Sequence, residues 1–372
     1  MNKENLRKIT GLRHELHAHP ELPTKEVWTK SRLMDFLKTN TKLEIVDKGA
    51  WFYAFYNAGD GKRTIAFRAD FDAIAVDDGI DQPYNSKFPG VSHKCGHDGH
   101  SATLCGFAME VDQNGAECNI YFVFQHAEET AEGAIVCAPL MKEKGIEEIF
   151  CYHNMSNYPE KSIVVREGTI WCASKGMIIK MTGTPTHASM PELGRNPAFA
   201  IASIVSAIPD LILPEKYKGL VLCTVIQINL GDRAFGVSAS AGELLLTIRG
   251  QYEAEMNSLQ EALEKMTKAE AEKYGLDYSF EFCDVFPETA NYKESVEKVR
   301  KAAKKLELEL VEIEKPIRTS EDFGYFLKET KGAVFFVGNG KDYPSIHTAE
   351  YDFPDKIIES AVEMFKELSG CS

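Results

Sequence analysis

Four short, almost wholly apolar runs constrain the fold of this chain most, because each breaks off at a group able to do chemistry. TIAFRAD (64–70) ends in Asp70, with Asp72 two residues on, and NIYFVFQ (119–125) leads into Glu128 and Glu129. EEIFCYHN (147–154) carries His153, and AVFFVGNG (333–340) precedes His347. Runs of this length and composition read as short buried strands. Ile9, Leu12 and Leu16 recur at helical spacing ahead of them, so the first 173 residues have the alternating rhythm of an α/β fold. In open α/β sheets, ligands bind beyond the carboxyl ends of the strands, where residues distant in sequence converge.

From about residue 176 the rhythm changes. A strand (176–182), a loop with His187, a helix from about Asn196, strands at 222–230 and 243–252, a helix and a last strand at 277–285 follow one another. This βαββαβ order predicts an inserted ferredoxin-like domain. Its second helix rests on an apolar stripe of Met256, Leu259, Leu263 and Met266, with Glu and Lys on the other faces. After Pro287 the α/β rhythm resumes with a helix at 293–306, the strand at 333–340 and a closing helix after Pro354. The expectation is an α/β fold: a discontinuous catalytic domain with a mixed sheet, formed by 1–174 and 286–372, and an inserted domain at 175–285.

A chain of 372 residues, 44% hydrophobic and 26% charged, buries enough apolar surface for two such domains. Its net charge of −14 disfavours nucleic acid and anionic membranes, which points to a small molecule or short peptide as partner. No apolar stretch reaches the roughly 20 residues of a membrane span, and the opening residues lack the apolar core of a secretion signal, so a cytoplasmic location is expected. Nine cysteines without a CxxC pair argue against a disulfide framework.

The densest chemistry is HKCGHDGH (93–100), which packs a thiol, three imidazoles and a carboxylate into eight residues. Borderline-soft ions such as zinc accept this mixture of donors. The bland reading has Asp98 as a cap and Cys95 as packing, the glutamate pair at a helix start, and His153 and His347 as hydrogen-bonded structural residues. Their joint occurrence at strand ends favours a metal site instead. Of the paired carboxylates, one can bind metal while the other moves protons, and that division of labour belongs to a hydrolase.

RHELHAHPEL (13–22), RADFDA (68–73), CGHDGH (95–100), QHAEE (125–129), TSEDFG (319–324) and IHTAEYDF (346–353) together resemble the amidohydrolase branch of the two-metal aminoacylase and carboxypeptidase family. That branch includes hippurate hydrolases, indole-acetyl-amino-acid hydrolases and N-acetyl-diaminopimelate deacetylases. The resemblance implies Cys95, His97, Glu129, His153 and His347 as ligands of two divalent ions, zinc or manganese, with Glu128 as general acid and base. Arg68 stands where relatives use a metal-binding histidine, Cys95 supplies the missing ligand, and Asp70 orients a ligand from behind. His93 and His100 are structural in this scheme, and His14, His17 and His19 belong to the N-terminal helix and its end.

The resemblance also makes the inserted domain a lid and a homodimerisation surface. His187 in GTPTHAS matches the histidine that donates to the oxyanion, and Arg249 in LLLTIRG matches the arginine that holds the substrate carboxylate. The family's Asn-x-Ile-Pro reads Gly236-Val237-Ser238-Ala239 here, which removes a hydrogen-bond donor. The implied function is hydrolysis of an amide bond in an N-acyl amino acid or small peptide-like substrate with a free carboxylate. The alternatives are a dipeptidase or carboxypeptidase of the same family, or an inactive metal-binding regulatory homologue.

Overall fold

A computed structural model describes residues 1–371. The chain opens with α1 (Lys3–Ala18), α2 (Val27–Asn40), β1 (Glu44–Asp47), β2 (Phe52–Tyr56), β3 (Thr64–Asp70), α3 (His97–Asn114) and β4 (Asn119–Gln125). Two short turns of helix, α4 (Ala134–Cys137) and α5 (Leu140–Glu143), lead to β5 (Glu148–Ser156), β6 (Ile163–Val165) and β7 (Gly168–Trp171). Next come β8 (Ala173–Thr182), α6 (Ala198–Leu211), β9 (Val221–Leu230), β10 (Ala241–Gly250), α7 (Glu253–Tyr274) and β11 (Asp277–Phe286). The last stretch holds β12 (Thr289–Asn291), α8 (Lys293–Lys305), β13 (Leu310–Glu312), α9 (Gly324–Glu329), β14 (Lys331–Gly340) and α10 (Ile358–Ser369).

These elements form two compact units. The first comprises 1–170, 289–316 and 321–372, and carries an eight-stranded sheet in the order β1-β2-β4-β3-β5-β14-β6-β13. The sheet is mixed. β3 runs parallel to both β4 and β5, and β5 parallel to β14, while β1, β2 and β6 pair antiparallel with β2, β4 and β14. The central strands are buried along almost their whole length, as continuous apolar runs are when both faces are covered. Parallel pairing brings their carboxyl ends to one edge, with Asp70 directly opposite Gln125. β1 and β2 lie outside the sequence expectations, being a short antiparallel pair at the border of the sheet.

α3 starts at His97 and is buried from there to Val111. It packs against α1, α2, α10 and β3. A helix enclosed on every side needs no polar face, so it shows no amphipathic period in the sequence.

The second unit comprises 171–288 together with 317–320, a stretch assigned to the larger domain in the sequence expectation. Cys172 ties it in: its N–H donates to the Ile317 carbonyl at 3.3 Å and its carbonyl accepts from Ser320 Oγ at 2.7 Å. The sheet here is antiparallel in the order β11-β8-β10-β9. Met177, Ile179 and Met181 of β8 and Leu244, Leu246 and Ile248 of β10 share a core with Ile204 of α6 and Met256, Leu259 and Leu263 of α7. β9 is an edge strand whose apolar side chains Ile226 and Ile228 are exposed. Among the described residues no helix is long and apolar enough to cross a membrane.

Candidate metal centre and active site

The site is built at the carboxyl ends of β3, β4 and β5. Cys95 and His97 flank Gly96, whose φ of +103° suits glycine. A Cβ at this position would lie 2.3 Å from Asn154 Oδ1 and 3.0 Å from the Tyr351 hydroxyl, so the loop can pack against β5 only without a side chain. His97 Nδ1 donates to Asp72 Oδ1 at 3.0 Å and to the Asp72 carbonyl at 3.1 Å, leaving Nε2 with its lone pair. The other Asp72 oxygen accepts the Glu129 N–H at 2.9 Å.

Asp72 therefore orients both the imidazole and the glutamate, a role the sequence expectation gave to Asp70. Asp70 is 3.9 Å from His97 Nε2, but its oxygens are occupied by Arg68 Nη1 at 2.6 Å and His100 Nδ1 at 2.7 Å. His100 Nε2 in turn lies 2.7 Å from Asn154 Oδ1, so both its nitrogens have neighbours within hydrogen-bond distance. His153 Nδ1 donates to the Asn154 carbonyl at 2.6 Å, and its Nε2 lies 3.5 Å from Cys95 Sγ.

Glu128 and Glu129 sit in a tight turn after β4, not in a helix. Ala127 adopts φ +46°, and its N–H donates to Glu26 Oε1 at 2.7 Å. Its carbonyl takes the Glu132 and Gly133 N–H groups at 3.1 and 3.0 Å. A Cβ on Gly133 would be 1.7 Å from the His126 carbonyl oxygen, so the turn closes only around glycine. His347 also has a positive φ, +65°, and its Nε2 reaches Glu129 Oε1 at 3.3 Å. Left-handed backbone at non-glycine residues persists where its surroundings enforce it, and such places cluster at functional sites.

The donor atoms of Cys95, His97 and His153 lie within 4.8 Å of one another, as do those of Cys95, Glu129 and His347. The two triads share the thiol. His97 Nε2 is buried without a hydrogen bond and faces Glu129 Oε1 3.8 Å away. An imidazole nitrogen and a carboxylate oxygen facing each other away from water are costly unless a proton or a metal cation lies between them. Sulfur, nitrogen and oxygen donors in this mixture suit a divalent, borderline-soft ion, and two triads accommodate two.

Glu128 stands beside the cluster, its Oε2 4.0 Å from His97 Nε2. Burial, with Glu321, Glu129 and Asp322 nearby, holds its carboxyl well above the usual carboxylate range. The Asp322 N–H points at Glu128 Oε1 from 3.3 Å. Buried Arg68 binds Asp70, Glu321 at 3.0 Å and Asp322 at 2.9 Å, and Nε donates to Gln125 at 2.8 Å. Asp72, Glu321 and Asp322 are thus working neighbours of the site without a role in the sequence reading, although RADFDA and TSEDFG contain them. His93 is buried with neither ring nitrogen hydrogen-bonded, and burial holds its pKa down to about 4.

His187 and Arg249 belong to the second unit. The Ser189 N–H donates to His187 Nδ1 at 3.2 Å, which leaves the exposed ring's proton on Nε2. The neighbouring Ala188 N–H donates to the Gly236 carbonyl at 3.0 Å. Arg249 donates through Nη1 to Ser320 Oγ at 2.6 Å. Burial lowers its proton affinity, with only Cys172 acting the other way.

A family model described as "Peptidase family M20/M25/M40" matches residues 66–369. The chain is 27% identical over 364 residues to the N-acetyldiaminopimelate deacetylase of Priestia megaterium, covering 96% of each protein. It is 27% identical over 369 residues to the hippurate hydrolase of Campylobacter jejuni, covering 96% of this chain and 94% of the relative. Among solved structures, the YxeP protein of Bacillus subtilis, a dinuclear metal binding peptidase from the M20 family, shares the fold. The TM-score is 0.84 at 24% identity, covering 99% of this chain and 98% of that one.

Proposed function

The chain belongs to peptidase family M20/M25/M40 and is a metal-dependent amide hydrolase, and we propose that it cleaves the amide bond of N-acyl amino acids or small peptide-like substrates with a free carboxylate. The observation that carries this reading is the pair of donor triads sharing Cys95, with Glu128 left outside both as a buried acid. Cys95, His97, Glu129, His153 and His347 would hold two divalent ions, zinc or manganese. When bound, such ions lower the pKa of water and polarise a carbonyl.

Glu128 takes the proton of the attacking water and passes it to the departing amine. His187, with its proton on Nε2, donates to the carbonyl oxygen as negative charge develops there. Arg249 anchors the substrate carboxylate by charge-assisted hydrogen bonds. Two relatives are named for N-acyl amino acid substrates, which supports the same substrate class here.

One observation favours a second reading, an inactive metal-binding regulatory homologue. Gly236 has nothing within 4 Å of a Cβ and stands where the resemblance expects an amide side chain. The second unit's βαββαβ order supports a ferredoxin-like lid and dimerisation domain, with exposed β9 as the surface for a second copy. A cytoplasmic location completes the reading.

The test is hydrolysis of a panel of N-acyl amino acids and dipeptides before chelation, after it, and after zinc or manganese is restored. Turnover should vanish with chelation and return with metal, fastest on the N-acyl substrates. Absence of hydrolysis across the panel with either ion present would refute the proposal.

A further inference from the structure

Lys94 directly precedes Cys95, yet its side chain is fully buried. Its ammonium donates to Asp78 Oδ1 at 2.5 Å and to the Tyr351 carbonyl at 2.7 Å, while its own carbonyl accepts the His347 N–H at 2.7 Å. One residue thus grips the 347–351 turn at both ends. Asp78 is fixed in turn by the Ser86 N–H at 2.8 Å and by His17 Nε2 at 3.2 Å. Gly79 adds a tie to the middle of the turn, its N–H donating to the Ala349 carbonyl at 3.0 Å.

His347 needs such a grip. Its side chain is 49% exposed and its φ is +65°, a conformation that a non-glycine residue keeps only where its surroundings impose it. Within the turn, Thr348 Oγ1 donates to the Ser345 carbonyl and the Tyr351 N–H to the Thr348 carbonyl, while Asn154 Nδ2 of β5 donates to the Tyr351 hydroxyl at 2.7 Å. Those shape the turn but do not attach it to the Cys95 loop.

We propose that Lys94 is a positioning residue for His347: it fastens the 347–351 turn to the Cys95 loop, so that the Cys95, Glu129 and His347 triad is assembled before a cation arrives. This rests on the reading of His347 as a ligand.

The test compares full-length Lys94→Met, His347→Ala and the double variant. Each is loaded with manganese, dialysed against falling free manganese and assayed for bound metal, with circular dichroism reporting the fold. Lys94→Met should keep one ion at wild-type affinity and bind the other about 10–100-fold more weakly. The double variant should bind no more weakly than His347→Ala alone, because the lysine acts through that imidazole.

A lysine that merely supports the fold would weaken both ions together and add its effect to that of His347→Ala. Either that pattern or unchanged binding in Lys94→Met overturns the inference. Should Lys94→Met fail to fold, Lys94→Gln, which keeps a donor for the Tyr351 carbonyl, carries the same comparison. A smaller loss confined to one ion supports the inference, and equal loss at both overturns it. If His347→Ala itself retains two ions, the ligand reading fails, and that single variant distinguishes this failure from a failure of the lysine's role.

Discussion

The two units treat their proposed functional side chains in opposite ways. In the first, His97 and His153 each commit Nδ1 to a partner, Asp72 holds two ligand-bearing segments at once, and Arg68 is buried among three carboxylates. In the second, His187 is exposed and held by Ser189, and Arg249 reaches a single hydroxyl. The contrast separates rigid chemistry from adaptable recognition. A donor cage must be fixed before its cation binds, whereas groups that meet the substrate can complete their hydrogen bonds when it arrives.

The hardest blow to this comparison falls on Glu128. Glu128→Gln should lower kcat by about 10²–10⁴-fold or more with bound metal unchanged, read by steady-state kinetics alongside metal analysis. Retained turnover would mean that the acid of the rigid unit is elsewhere. Next in size is Asp72→Ala, which removes the carboxylate acceptor for His97, leaving only the backbone carbonyl, and with it the acceptor for the Glu129 N–H. Metal affinity should fall about 10–100-fold while the circular dichroism spectrum stays native. Wild-type affinity in a metal titration would show that the cage owes nothing to this carboxylate.

The smallest effect sharpens the adaptable side. Gly236 has open space around it and no positive φ, so Gly236→Asn introduces an amide without strain. One added hydrogen bond is worth roughly 1 kcal/mol, which predicts a several-fold lower KM for N-acyl amino acids at unchanged Tm. An unmoved KM would place the substrate's carboxylate away from this loop.

Much of the first unit was legible because parallel strands covered on both faces leave continuous apolar runs in the sequence, and the proposed ligands His153, Glu129 and His347 lie on or after those runs. The α7 stripe was legible for the complementary reason, one face buried and three wet. α3 was not, since complete enclosure erases the period. Nor could the sequence choose between Asp70 and Asp72: two carboxylates two residues apart differ only in what captures them, and it is Arg68 and His100 that claim Asp70. Nothing local in the sequence marks Lys94 for burial. Its burial depends on Asp78 and on Tyr351, the latter some 250 positions away along the chain. The 317–320 segment likewise joins the second unit through contacts with Cys172 that no local pattern announces.

β9 has a practical consequence. Unpaired backbone along a strand that also displays isoleucine is a template for indiscriminate cross-chain growth. If a second copy normally caps it, a substitution that weakens the pairing leaves more uncapped strand at the same protein concentration, and such a variant should cloud sooner than the parent in matched solutions.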